Sequence, residues 1–176
     1  KQTLEISNKG SECNSFSIGG IQSLMLPNFS PKKRDINRKN YIGNKGLGFR
    51  SIINWSEQIT IYTNDLKIDF SYEIAKQVYT NLTSNNVPKI AFLSLPKIEE
   101  NRINKWTTAI KIKYKENFLD DIKKQLISIQ DEVLLFVNHI NKLKIEIDDE
   151  LKTIERIKDN SFVYLNEKLW TIFEYN

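Results

Sequence analysis

Three glycines, Gly43, Gly46 and Gly48, give the string Tyr41-Ile42-Gly43-Asn44-Lys45-Gly46-Leu47-Gly48-Phe49-Arg50 a G-x-x-G-x-G spacing. Glycines so placed let main-chain N–H groups approach an oxyanion with no Cβ in the way. The helix expected to open over Leu47 to Arg50 adds partial positive charge at its N-terminus. The chemistry this suits is phosphate binding, although the same glycines also serve to turn the chain. The string is not a P-loop, because GxxxxGK[ST] is absent. It is not a good Rossmann fingerprint either, because no strand leads directly into it.

Other reactive residue types are sparse. The single cysteine, Cys13, cannot form an intrachain disulfide, and no Cys/His cluster has metal-ligand spacing. A Ser-His-Asp or Cys-His site would have to use the one histidine, His139, whose surroundings LLFVNHINKLKI read as the end of a packed helix. Asp120, Asp121, Asp148 and Asp149 read as solvated helix and turn residues. Trp55, Trp106 and Trp170 are candidates for base stacking, but aromatic residues in strand and helix patterns more often belong to a core. Arg50 either faces phosphate or joins an ion pair.

The elements that must position these residues follow from periodicity. Alternation in Thr3-Leu4-Glu5-Ile6-Ser7 predicts a strand ended by the turn Asn8-Lys9-Gly10, and Gly19-Gly20 leads into a short helix over Ile21 to Leu26, stopped by Pro27. Leu47, Ile52, Ile53 and Trp55 fit one side of a short helix. Strands are expected over Gln58 to Thr63, Leu66 to Ser71 and Lys89 to Leu95, with a helix over Tyr72 to Leu82. Thr107 to Tyr114 places Ile110, Ile112 and Tyr114 on one face and Lys111 and Lys113 on the other. One long helix is expected from Asn117 to about His139, then strands over Lys142 to Asp148 and within Ser161 to Tyr175. This order predicts an α+β two-layer sandwich, a mixed, mostly antiparallel sheet covered on one face by helices.

With 26 Lys+Arg against 22 Asp+Glu the formal charge is +4, and much of the excess lies in SPKKRDINRKNY, Ser30 to Tyr41. That stretch suits a solvated loop, a phosphate-facing lid or a nucleic-acid patch. No run approaches the roughly 18 apolar residues of a membrane span, and the opening KQTLEIS has no signal-peptide h-region, so no membrane partner and a cytoplasmic location are expected. The 176 residues are read as one domain, 1–176, from the N-terminal part of a larger multidomain protein.

YIGNKGLGFRSIINWSEQITIYT resembles the second glycine box of GHKL ATPases, the superfamily of gyrase, MutL, the ninety-kilodalton heat-shock chaperones and sacsin, and is most like the sacsin-like ATP-binding domains of large bacterial proteins. The resemblance implies a Bergerat fold. LEISNKG resembles the first strand and first glycine box, with Asn8 and Gly10 where the family has an Asp and a Gly. That Asp accepts a hydrogen bond from the adenine amino group, whereas an Asn also carries a donor. FSIGGIQSLMLPNFSPKK resembles the approach to the family's lid, matching Ser30 and Lys32 to a Ser-x-Lys element near the phosphates. NKWTTAIKIKYKE resembles the strand whose Gly-Thr pair brings a hydroxyl near adenine. Thr108 matches the Thr, and Thr107 replaces the Gly.

The resemblance implies ATP or ADP with Mg²⁺ as ligands. The amides of Gly46, Leu47, Gly48 and Phe49 would cradle phosphate oxygens, with Gly43 and Asn44 in the turn and Lys32 or Lys45 supplying charge. It also implies a nucleotide-driven lid or dimer switch acting on attached C-terminal effector domains or a homodimer partner, in proteins that in bacteria often serve restriction or antiphage defence. The family's N-terminal helix, whose Glu activates water and whose Asn ligates Mg²⁺, has no counterpart in this sequence, so no residue is assigned catalysis or a metal. The alternatives are a nucleic-acid-binding module using loop 30–41, or a degenerate, non-catalytic nucleotide sensor.

Overall fold

The computed structural model describes residues 2–10, 16–26, 47–85, 89–101, 105–137, 139–159 and 162–171. Their contacts divide the chain into two compact units, Lys1–Phe118 and Leu119–Asn176, each of α+β composition.

In the first unit five strands, β1 (Thr3–Asn8), β2 (Ser56–Thr63), β3 (Leu66–Phe70), β4 (Lys97–Glu100) and β5 (Thr108–Tyr114), form one sheet in the order β1-β5-β2-β3-β4. Cross-strand pairing puts Leu4, Ile112, Ile59 and Phe70 in one transverse row and Ile6, Ile110, Ile61, Ile68 and Ile98 in the next. Because directly opposed residues share a face, these rows make one side of the sheet apolar. Ile59, Ile61, Phe70 and Ile112 are fully buried there. Each such side chain contributes on the order of 1.5–3 kcal/mol by leaving water.

Helical segments cover this face. Helix α1 (Ile18–Met25) delivers Ile21, Leu24 and Met25, and α2 (Leu47–Arg50), continued by a 3-10 turn over Ser51–Trp55, delivers Phe49, Ile52, Ile53 and Trp55. The caps are local chemistry. The Ser17 hydroxyl accepts the Gly20 N–H at 3.0 Å, which starts α1 three residues earlier than its apolar run suggests. Leu26, just before a proline, is extended at φ −97°, ψ 122° and ends it. Helix α3 (Tyr72–Thr83) opens on Ser71, whose hydroxyl accepts the Ile74 N–H at 3.1 Å.

The expected strand over Lys89 to Leu95 is instead a turn. Phe92 and Leu93 are consecutive and both buried in the core, which strand alternation forbids. Pro96 has no N–H to give a ladder, and the edge strand β4 forms after it.

The second unit holds α4 (Leu119–Ile127), α5 (Val133–Phe136) and the meander β6 (Lys142–Ile147), β7 (Glu150–Asp159), β8 (Phe162–Leu165) and β9 (Lys168–Thr171). The single long helix expected from Asn117 to His139 is therefore broken. Between its halves the Ile129 carbonyl accepts Lys152 Nζ at 2.6 Å, and the Asp131 carboxylate accepts Asn166 Nδ2 at 3.0 Å. Side chains of the sheet thus hold groups that a continuous helix would carry past them.

Strand β7 was not foreseen. Asp148 and Asp149 have φ of 48° and 73°, and Asn166 and Glu167 of 44° and 71°, so each pair forms the two-residue turn of a hairpin. All described pairings are antiparallel, in two sheets, and neither is mixed. Leu134, Ile154, Val163 and Leu165 form this unit's core. Among the described residues no helix is long and apolar enough to cross a membrane.

Candidate functional site

Where the apolar face of the first sheet reaches the end of its strands, it turns polar. The last transverse row reads Asn8, Thr108, Thr63 and Leu66 across β1, β5, β2 and β3. These residues share the helix-covered face because they continue the alternation of Ile6, Ile110, Ile61 and Ile68. Two of them, Asn8 and Thr108, are 100 residues apart in sequence and are brought into direct contact by the β1–β5 pairing.

Asn8 Oδ1 accepts the main-chain N–H of Thr108 at 3.0 Å. The Thr108 side chain is buried, and its Oγ1 has no hydrogen-bond partner among the described residues. Leaving a buried hydroxyl unmade costs about 1–3 kcal/mol, so it is a group that a ligand or a water would satisfy. Arg156 Nε and Trp170 Nε1 are likewise buried without a partner, but they lie in the second unit. The Thr108 hydroxyl differs in standing beside an exposed amide and near an exposed apolar residue, Ile6, which is 54% accessible.

Two threonines that sequence reasoning did not assign to the site tie its walls together. Thr107 Oγ1 accepts from Gly10 N at 3.1 Å and donates to Gly10 O at 2.9 Å, while Thr107 N–H donates to Asn8 O at 3.0 Å. Thr107, at the position where the resembled family has glycine, thus clips the Asn8–Gly10 turn to β5. Thr63 Oγ1 accepts the Phe16 N–H at 2.9 Å, which fixes the chain entering α1. The signal for Thr63 was available in the sequence: a hydroxyl at the end of the alternation Ile59, Ile61, Thr63 must lie on the apolar face.

The glycine segment is described only from Leu47 onward. Gly43, Asn44, Lys45 and Gly46 lie outside the described residues, as do Ser30, Lys32, Cys13 and the basic stretch 30–41. Gly48 is exposed, and a Cβ built on it would meet nothing within 4 Å. The described residues around it therefore leave room for a side chain there. Phe49 packs on the sheet core. Arg50 Nη2 donates to Leu24 O at 2.8 Å, tying α2 to the last turn of α1. Of the candidate residues, the structure brings Asn8, Gly10 and Thr108 together and sets Phe49 on the same face.

The remaining candidates have structural places. Trp55 and Trp170 pack against the two cores, Trp106 lies under Lys105 Nζ at 5.2 Å, and His139 is exposed. No group of three or more His, Cys, Asp or Glu converges among the described residues.

The opposite face of the first sheet is charged but internally compensated. Lys111 pairs with Glu5 at 3.4 Å, Lys113 with Glu57 at 2.6 Å, and Lys67 with Asp69 at 2.8 Å and Glu99 at 3.1 Å. Asp69 is buried and also accepts from Thr60 Oγ1 at 2.5 Å and Gln58 Nε2 at 3.2 Å. Hydrogen bonding to Asp69 first, and to Glu99 second, raises the Lys67 ammonium above its usual range, while Lys97 and then Lys67 lower the Glu99 carboxyl. A shallow depression of about 440 Å³ lies on this face beside Gln58, Thr60, Lys111 and Lys113. Another of about 640 Å³ lies on the second unit along Thr153, Ile157, Tyr164 and Asn166. Neither is lined by Asn8 or Thr108; the orphaned hydroxyl, not a depression, marks the candidate site.

No protein-family model matches the chain, and no curated protein matches it.

Proposed function

We propose that the Lys1–Phe118 unit is a Bergerat-type nucleotide-binding unit, holding a purine nucleotide on the helix-covered face of its sheet. The observation that carries the reading is the buried Thr108 hydroxyl, without a partner among the described residues, set against Asn8 at the end of that face. In GHKL proteins, which the glycine string resembles, these two positions meet the base. Exposed Ile6, two residues before Asn8 on the same face, offers an apolar surface for a purine ring.

Toward the phosphates, the open space at Gly48 suits close approach of an anion to main-chain N–H groups. Gly43, Asn44, Lys45 and Gly46, with Ser30 and Lys32, would complete that end. ATP or ADP is the nucleotide the resemblance implies, and Mg²⁺ would ride on its phosphates without a protein ligand assigned here. Hydrolysis needs a water-activating carboxylate, a role given to no residue of this sequence. Binding is therefore the claim, and an ATPase-driven lid or dimer switch in the intact protein is its extension.

A nucleic-acid interface would rest on the basic stretch 30–41, which lies outside the described residues; on the open sheet face the lysines are matched by Glu5, Glu57, Asp69 and Glu99. Calorimetry with MgATP, ADP and a single-stranded oligonucleotide separates the readings. At ~100 Kd a nucleotide adds about 2.7 kcal/mol to the folded state, a shift readily seen in thermal melting. Gly46→Val should abolish that binding while leaving the melting temperature of the free chain unchanged. Unaltered nucleotide affinity in this variant would defeat the proposal.

A further inference from the structure

The polarity of the Asn8 amide is fixed by its neighbour. A main-chain N–H can only donate, so the atom facing Thr108 N at 3.0 Å must be the carbonyl oxygen, Oδ1. The amide nitrogen, Nδ2, is then the end turned away from β5. It is the outward-facing end of this exposed side chain and has no partner among the described residues, while Oδ1, bonded to Thr108 N, keeps one further lone pair. A carboxylate at the same position would behave differently: one oxygen would accept from Thr108 N, and the other would remain an acceptor.

The two arrangements read opposite base edges. Adenine presents an amino donor at C6 and an acceptor at N1, whereas guanine and hypoxanthine present a carbonyl acceptor at C6 and a donor at N1. Nδ2 of Asn8, a donor only, complements a C6 carbonyl and opposes a C6 amino group. The Thr108 hydroxyl, buried and without a partner among the described residues, is indifferent, since it can accept from an N1–H or donate to a bare N1. Discrimination therefore falls on Asn8.

We propose that this site, resting on the nucleotide-binding reading above, selects 6-oxopurine nucleotides, guanosine or inosine phosphates, over adenosine phosphates. The preference comes from the Thr108 N–H holding the Asn8 amide with its donor outward. Replacing a donor–acceptor contact by two opposed donors changes affinity by about tenfold.

The test is titration calorimetry of the chain with GTP, ITP and ATP, for the wild type and for Asn8→Asp, with circular dichroism to check the fold of the variant. The wild type is expected to bind GTP and ITP about tenfold more tightly than ATP, and Asn8→Asp to invert the order. Wild-type binding of ATP equal to or tighter than both 6-oxopurines would overturn the inference while leaving the nucleotide site standing, as would a folded Asn8→Asp variant with an unchanged ratio. Absence of binding to all three would overturn the nucleotide reading itself. If Asn8→Asp does not fold, the wild-type ratio alone decides.

Discussion

Asn8 on β1 and Thr108 on β5 face each other at the end of a five-stranded sheet, and the side-chain oxygen of the first accepts the main-chain N–H of the second at 3.0 Å. The bond engages one lone pair of the Asn8 oxygen and turns its Nδ2 away from β5, while the hydroxyl of Thr108 is buried with no partner among the described residues. Structure and binding thus make opposite demands on one pair of residues.

That opposition gives a direct prediction for Thr108→Val. Valine keeps the shape and removes an unsatisfied buried hydroxyl, so the variant should be as stable as the wild type or more so, by up to about 1 kcal/mol. Nucleotide affinity should fall roughly 2- to 10-fold with the lost hydrogen bond. Thermal melting and calorimetry read the two effects separately. A loss of stability with unchanged affinity would mean that the hydroxyl serves the fold.

Gly48→Ala makes a similar separation at the phosphate end. A Cβ at Gly48 meets nothing within 4 Å, and its φ lies outside the left-handed region. Replacing glycine by alanine in a helix should then stabilise by about 0.4–1 kcal/mol. Because the added methyl occupies the space proposed for a phosphate, the same change should weaken nucleotide binding. Chemical denaturation and a binding isotherm on the purified variant check both signs.

On the other face of the sheet, Asp69 is the acceptor shared by Thr60, Gln58 and Lys67. Asp69→Ala would leave the Thr60 hydroxyl, itself buried, without that acceptor. A destabilisation of about 2–3 kcal/mol is expected in urea unfolding, with nucleotide affinity unchanged because the network lies across the sheet from Thr108. A smaller cost, under about 0.5 kcal/mol, would show that water replaces the carboxylate freely.

Two groups on the β3–β4 edge give the first unit a pH dependence. The Glu99 carboxyl is held below its ordinary 4.5 by Lys97 and Lys67, so its contribution to stability is present above pH 4.5 and is lost as pH falls through its folded value. The Lys67 ammonium is raised above 10.5, so its contribution is present below that pH and is lost as pH rises through its folded value. Glu99→Gln should lessen the acid decline, and an unchanged acid slope in that variant would remove Glu99 as its source. The effect is small, since Glu99 faces solvent.

How much of this was legible beforehand depends on the range of the interaction. Alternation alone put Ile110, Ile112 and Tyr114 on one face and Lys111 and Lys113 on the other, because side-chain direction in a strand is a local property. The helices over 18–25 and 72–83 were foreseen within a few residues, with their starts set by Ser17 and Ser71 as caps. The break between α4 and α5 was not legible. It depends on Lys152 and Asn166 reaching groups near Ile129 and Asp131, and no window of local sequence contains both partners. Strand β7 was not legible because Asp148 and Asp149, although they read as turn residues, do not show from local sequence that both adopt the positive φ of a hairpin turn that sends the chain back as a strand.

The candidate site divides in the same way. Residue types and a family resemblance singled out Asn8, Gly10, Gly48 and Thr108, since glycine spacing and strand pattern are written along the chain. That Asn8 meets Thr108, that Thr107 clips Gly10, and that the Asn8 amide presents its nitrogen outward were decided only by the register of β1 against β5. Register is a long-range choice, fixed by matching two apolar faces across a hundred residues of chain, and it sets which hydrogen-bonding groups are left over.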